Sequence, residues 1–337
     1  MKKLVSVILV LVVVLAFAAG ASAATILKLA EVHPDGYPTA LADKEFARLV
    51  EEKTGGRIKV EVYAGSQLYT GEPASIEALQ LGDLAFSRVS ASPVGNFVPS
   101  INAIQMPYLY KSKDHMWAVL NSEIGQKLLA GIETGVNKDG KASGLVGLCY
   151  YDAGARSFYL TREVHKPADL AGLKIRMQNN PMMLRMVELM GATGIGNIGP
   201  TEVLNAIQTG VVDGAENNWP TYQNNGDYNA AKFYILDQHT RVPEILLASK
   251  IVMDSLSAED QATIKECAKA TQEYEIEQWA LKEKASEEIV RAAGVTVIDL
   301  TPEERAEFEA AMAKLYEEFG ADYKDIIDAI KEMGKDF

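Results

Sequence analysis

From Ser257 to Ala293 no proline or glycine interrupts the chain. Ser257, with Asp260 three positions on, opens this run in the manner of a capping box. At 1.5 Å per residue the run predicts a helix about 50 Å long. A rod of that length is long enough to touch two domains. Thr301-Pro302-Glu303-Glu304 opens a further helix in a similar way.

Upstream the pattern is one of short alternations. Residues 25–30 (TILKLA) read as a strand. Residues 40–53 have helical spacing, with Leu41, Phe46, Leu49 and Val50 on one side and Gly55-Gly56 as the stop. Ile58, Val60 and Val62 alternate with Lys59 and Glu61, a second strand. Pro73 and Gly82 bracket a helix, and 84–90 reads as a third strand. This β-α-β-α-β opening predicts an α/β sheet. The spacing continues with a helix over 115–131, a strand over 145–151, helices over 181–190 and 200–209, and strands over 211–216 and 244–253. Met182, Met183, Met186 and Met190 read as core rather than as a pliable ligand surface.

The N-terminus predicts export. Lys2 and Lys3 precede an apolar run from Leu4 to Ala19, and Ala21-Ser22-Ala23 supplies small residues for cleavage. The run is short for a membrane span. Cleavage near Ala23 leaves roughly 314 residues, which fits two domains. The formal charge is −13, and loss of Lys2 and Lys3 brings it to −15. An acidic chain without a basic stripe argues against nucleic acid and anionic membrane as partners. Cys149 and Cys267 each sit in an apolar run and read as buried free thiols, although a pair between them is open from sequence alone.

Catalytic signatures are missing. There is no G-x-S-x-G or H-E-x-x-H, and His33, His115, His165 and His239 lack metal-ligand spacing. No metal or cofactor is expected. Gly194-Ile-Gly196-Asn-Ile-Gly199 matches G-x-G-x-x-G, but a helix precedes it and its glycines flank what reads as a short strand, so it does not predict dinucleotide binding.

The stretch with the most chemistry is Gly154 to Arg176. Arg156 and Arg176 lie twenty positions apart, each beside a β-like run (SFYLT and LKIR), with a Pro/Asp/Gly-bearing turn between. Two strands so joined bring both guanidinium groups near one place, where they match an organic carboxylate in shape and charge. Surface salt bridges are the plainer alternative for each arginine.

Five motifs now make a resemblance. GGRIKVEVYAGSQL (55–68), QMPYLY (105–110), KPADLAGLKIR (166–176), GLKIRM (172–177) and GVVDGAENN (210–218) resemble the solute-binding proteins of tripartite ATP-independent periplasmic (TRAP) transporters. The resemblance implies a two-domain α/β periplasmic binding protein of type II-like architecture, with a hinged cleft and a long helix spanning both domains. It implies domain I at 24–153 plus 243–281, domain II at 154–242 plus 282–337, and a signal peptide at 1–23. In that family the arginine of G-L-K-I-R binds the ligand carboxylate, which maps to Arg176. A second arginine maps to Arg156, and the asparagine ending D-G-x-E-N maps to Asn217. The polar strand positions Arg88 and Ser90 map to a ligand-facing wall. EVHPDGYPT, FSRVS, YYDAGARSFY and DGAENN resemble the sugar-acid branch, notably hexuronate binders. His33, Glu72, Arg88, Asn217 and Asn218 are then candidates for the hydroxyl groups. For Glu72 a helix N-terminal role, and for Asn217 and Asn218 a turn role, stand beside ligand contact. The resemblance implies a monomer without catalytic activity, located in the periplasm, that delivers an organic acid to membrane subunits. A C4-dicarboxylate or another sugar acid, or an ATP-driven importer as partner, are the alternatives.

Overall fold

The computed structural model describes residues 23–137 and 139–337. The expected signal peptide lies almost wholly outside them. Two mixed sheets form the frame. The first joins β1 (Thr25–Ala30), β2 (Ile58–Tyr63), β3 (Phe86–Ser90), β4 (Leu145–Tyr151) and β10 (Glu244–Ser249) in the order β2-β1-β3-β10-β4. The second joins β5 (Arg156–Leu160), β6 (Lys174–Arg176), β7 (Thr193–Ile195), β8 (Gly214–Asn217), β9 (Phe233–Thr240) and β11 (Thr296–Ile298) in the order β11-β9-β5-β8-β6-β7. The fold is α/β, as the alternation predicts. In the first sheet β1, β2 and β3 run parallel, and β10 inserts antiparallel between β3 and β4. β10 thus ties residues late in the sequence to the earliest strands.

The chain passes between the two sheets at residues 152–155 and again at 241–243. The helix Ala258–Ala292 packs on β4 and on the helix Pro38–Lys53 at one end, and on the helix Trp219–Asn224 at the other. The Ser257 hydroxyl accepts from the Asp260 amide and caps its start. The 35 residues carry no helix breaker, and the rod touches both halves as its length requires. Beyond it, the helix Pro302–Ala311 lies on β9 behind a full Thr301/Glu304 capping box, whereas Lys324–Met333 returns to pack on Lys113–Asn121 beside the first sheet.

Two expected elements divide. The predicted helix over 115–131 is two helices, Lys113–Asn121 and Glu123–Thr134. Ser122 stands between them in an extended conformation, and its hydroxyl accepts from the Ile124 amide. A local side-chain cap there competes with a continuous helix, which apolar periodicity does not reveal. The predicted strand over 244–253 stops at Ser249, whose hydroxyl caps a short helix, Lys250–Ser255. The methionines behave as read: Met182, Met183, Met186 and Met190 are buried in the main core. Cys149 and Cys267 are free thiols, both buried in one cluster with Phe46, Phe86 and Leu246. Among the described residues no helix is long and apolar enough to cross a membrane.

Gly154 sits in the first crossing with φ +61°. A Cβ there would lie 2.3 Å from Glu283 Oε1 and 3.1 Å from Trp279 Nε1 on the long helix. Gly154→Ala is expected to lose about 1–2 kcal/mol from the left-handed backbone alone, read as a lower urea midpoint. An unchanged midpoint would show that the crossing can move off the long helix at no cost.

Candidate functional site

The strand ends nearest the crossings carry the charged residues singled out from the sequence. Arg88, on β3, is 1 % exposed, although its neighbours on the strand are small or apolar. Its Nε donates to Glu31 Oε2 at 2.9 Å, and its Nη2 to Glu31 Oε1. Its Nη1 donates to Glu72 Oε1 at 2.6 Å and to Glu244 Oε2 at 2.5 Å. His33 Nδ1 lies 2.8 Å from Nη2, and the His33 ring stacks on Tyr37 with centroids 4.1 Å apart. Glu72 Oε1 also accepts from the Ser90 amide at 3.1 Å. Burial of a lone guanidinium would lower its proton affinity, but Glu31, Glu244 and Glu72 together hold Arg88 well above its ordinary value. Burial raises Glu72, against the pull of Arg88.

The second wall is built from β5, β6 and β8. Arg156 forks onto Glu216, with Nε to Oε2 at 2.5 Å and Nη2 to Oε1 at 2.9 Å, and its Nη1 donates to Asn217 Oδ1 at 3.0 Å. Burial alone raises a carboxyl group, yet Arg156 and His239 bring Glu216 down to about 2. Behind it, the His239 imidazole reaches Glu216 Oε2 at 3.4 Å and Asp237 Oδ2 at 2.7 Å. Burial works against its protonation, but these two carboxylates push it up to about 9.

Arg176 differs from the other two. It is 7 % exposed, and its Nε donates to the Ile198 carbonyl at 3.0 Å. Among the described residues it forms no ion pair, and its terminal nitrogens have no hydrogen-bond partner there. Burial lowers its proton affinity, and Glu216 and Tyr159 nearby only partly offset this. The two arginine strands are not paired with each other: β8 lies between β5 and β6, antiparallel to one and parallel to the other. The segment after β5 therefore crosses over rather than turning back, and Glu216 and Asn217 come between the arginines.

Side-chain bridges join the walls. Gln178 Nε2 donates to Ser90 Oγ at 2.8 Å, Asn180 Nδ2 to the Ser92 carbonyl at 2.7 Å, and Asn96 Nδ2 to the Asn179 carbonyl at 2.8 Å. Tyr37 and Thr221 hydroxyls meet at 2.9 Å. Asn218 is spent on structure. Its oxygen caps the helix Trp219–Asn224 through the Thr221 amide at 2.8 Å, and its nitrogen donates to the Ala153 carbonyl at 3.0 Å. Asn217, half-buried, keeps its amide nitrogen without a partner among the described residues.

Residues 29–322 match the family model described as bacterial extracellular solute-binding protein, family 7. The chain belongs to this family. It is a solute-binding protein of the TRAP type. It is 32 % identical over 306 residues to a solute-binding protein of Chromohalobacter salexigens, covering 90 % of this chain and 87 % of that one. A TRAP periplasmic solute-binding protein of Pseudomonas putida F1, solved with bound D-glucuronate, superposes with TM-score 0.85 at 37 % identity, over 90 % of this chain and 96 % of that one. One of Bradyrhizobium sp. BTAi1 in complex with D-galacturonate gives 0.85 at 38 % identity, over 91 % and 99 %. A Citrobacter koseri protein of the same kind gives 0.85 with D-glucuronate bound (33 % identity, 91 % and 98 % covered) and 0.77 in its open, apo form (31 %, 90 % and 97 %).

In this solute-binding protein the sequence singled out Arg88, Glu72, His33 and Ser90, and they form one cluster. It missed Glu31 and Glu244, which complete that cluster, and Gln178, which bridges the walls. No spacing signals the meeting of residues 31, 88 and 244, because only the sheet order β1-β3-β10 makes it. Glu216 and His239 were likewise silent, although DGAENN contains the former.

Two outcomes are expected. Arg88→Met leaves three buried carboxylates without their cation and should cost about 3–5 kcal/mol of stability by chemical denaturation; a loss below about 1 kcal/mol would mean that the carboxylates ionise without it. His239 is protonated in the folded state up to about pH 9, whereas the unfolded side chain titrates near 6.5. Its contribution, about 3 kcal/mol, is complete below pH 6.5 and is lost as the pH rises through 9. His239→Gln should flatten the stability profile across that window, and an equal slope in both proteins would count against the charged imidazole.

Proposed function

We propose that the protein captures a hexuronate, D-glucuronate or D-galacturonate, and delivers it to the membrane subunits of a TRAP transporter. The observation that carries this reading is Arg176. A buried guanidinium with free terminal N–H groups, beside two arginines already paired with carboxylates, is a receptor for one external carboxylate. The sugar hydroxyls meet an acceptor-rich wall, with Glu72 and His33 held by Arg88, and donors from Asn217. Arg156 orients Asn217 and Glu216 and lends positive charge to the carboxylate end. Asn218 supports this wall from behind as a helix cap, and Ser90 takes part through its bridge to Gln178. Neighbours that share a third or more of the sequence carry uronates, which supports the choice of ligand.

The two halves are proposed to divide near 24–153 plus 243–281 and 154–242 plus 282–337, moving about the crossings and the long helix. Ligand contacts on both walls favour the closed arrangement, a population shift that needs differential contact with each half. The higher similarity to the glucuronate-bound Citrobacter koseri protein than to its open form supports a closed state here. The chain is proposed to act in the periplasm as a monomer without catalysis, after removal of its leader near Ala23.

Calorimetric titration of the mature protein tests the reading. Uronates are expected to bind, and saturation at about 1,000 times Kd should add roughly 4 kcal/mol of stability. Arg176→Ala should keep the denaturation midpoint, because it breaks no internal ion pair, yet weaken uronate binding by about two to three orders of magnitude. An unchanged Kd in that variant would remove Arg176 from the site. Binding of C4-dicarboxylates in place of uronates would keep the transporter role and replace the ligand.

A further inference from the structure

A cavity of about 200 Å³ lies beside the second crossing, lined by residues that take no part in the cleft. Among its walls are Tyr108, Lys111, Gln238, Arg241, Arg305 and Glu309. Three cations face one carboxylate there, in a chain whose net charge is −13. Arg241 is half-buried and lies within reach of the charges of Asp152, Glu283 and Asp114. It forms no hydrogen bond or ion pair among the described residues. Asp152 is already engaged by Lys113 at 2.8 Å. Arg305 spends two N–H groups on the carbonyls of Asp237 and Leu236, at 2.7 and 2.8 Å, which locks its fork at the cavity wall. Lys111 is exposed and has no ion-pair partner among the described residues.

Backbone strain marks the same place. Tyr108 and Gln238 have φ of +55° and +46°, and they are two of the three non-glycine residues in the left-handed region among those described. Such conformations cost free energy and persist where the surroundings impose them. The Tyr108 amide donates to the His239 carbonyl at 2.8 Å, so the two strained segments are pinned together across the junction of the sheets.

The cavity is also wired to the cleft. Tyr108 Oη reaches Asp237 Oδ2 at 3.3 Å, Asp237 holds His239, His239 meets Glu216, and Glu216 holds Arg156. Every member of this chain except Tyr108 is buried. A charge placed at the cavity acts on it through low-dielectric protein rather than through water.

We propose that this cavity is a second anion site, taking a small oxyanion that carries phosphate or carboxylate groups, and that its occupancy is felt at Arg156 through the Tyr108–Asp237–His239–Glu216 chain. Lys111 and Arg241 supply the uncommitted donors, Arg305 a fixed positive wall, and Gln238 a neutral donor.

The test uses the mature protein without any sugar acid, so its outcome does not depend on the uronate reading. Inorganic phosphate and citrate are titrated by calorimetry into wild type, Lys111→Ala, Arg241→Gln and Arg176→Ala. At least one probe is expected to bind. Lys111→Ala and Arg241→Gln should each weaken it about tenfold or more, as loss of a charge-assisted contact does, while Arg176→Ala leaves it unchanged. Lys111, being exposed, keeps the test valid if Arg241→Gln fails to fold. The imidazole 15N resonances of His239, assigned by their loss in His239→Gln, should shift on binding. Absence of binding by both probes overturns the site. So does binding that Arg176→Ala abolishes and the other two variants spare, which would put the anion in the cleft. Binding with an unmoved His239 signal overturns the link to Arg156.

Discussion

Arg88 is the interaction on which the first half depends. A guanidinium with 1 % exposure has lost its water, and only a matching set of acceptors makes that tolerable. Three carboxylates supply them from three separate segments: Glu31 just after β1, Glu72 at the start of the helix Glu72–Leu81 that follows β2, and Glu244 at the start of β10. Because Glu244 follows the second crossing, the same cation also anchors one of the two connections between the halves. Arg88 thereby ties β3 to residues that follow β1 and open β10, its neighbours in the sheet, and holds Glu72 and His33 in the same cluster.

The second half repeats the device on a smaller scale and then departs from it. Arg156 and Glu216 form a buried fork, and His239 and Asp237 extend it toward the junction. Among the described residues Arg176 has no such partner. The contrast is informative because an unpaired buried charge is costly, and folded proteins tolerate it where binding supplies the missing partner. Three arginines on three separate strands thus stand differently: Arg88 lies among three carboxylates, Arg156 forks onto Glu216 and holds Asn217, and Arg176 keeps only the Ile198 carbonyl among the described residues.

The architecture converts these local contacts into a receptor. The two sheets are joined by two short crossings, and the helix Ala258–Ala292 packs on both halves. Gln178, Asn180, Asn96 and Tyr37 reach across the cleft with ordinary hydrogen bonds. Each is worth about 1 kcal/mol, small enough to form and break as a ligand comes and goes. The strained pair Tyr108 and Gln238 lies at the junction, where the Tyr108 amide donates to the His239 carbonyl.

The α/β class, most element positions, the long helix and the methionine core were legible in the sequence, because they follow from periods of two and 3.6 and from glycine and proline punctuation. Arg176 and Arg156 were singled out through motif and spacing, and the fold places both on strands of the second sheet. The missed boundaries, at Ser122 and Ser249, turn on single hydroxyl groups capping helices, a signal too local for periodicity. The partners of each arginine were decided by tertiary structure alone. Sheet order is a long-range property: it brings Glu31 and Glu244 to Arg88 across 57 and 156 positions, and puts β8 between β5 and β6. Sequence spacing carries no trace of such meetings, because the free energy that selects them is the burial of whole sheet faces rather than any local preference. The residue types were therefore set by the sequence, whereas which arginine pairs with a carboxylate, and which among the described residues does not, was settled only when the strands paired.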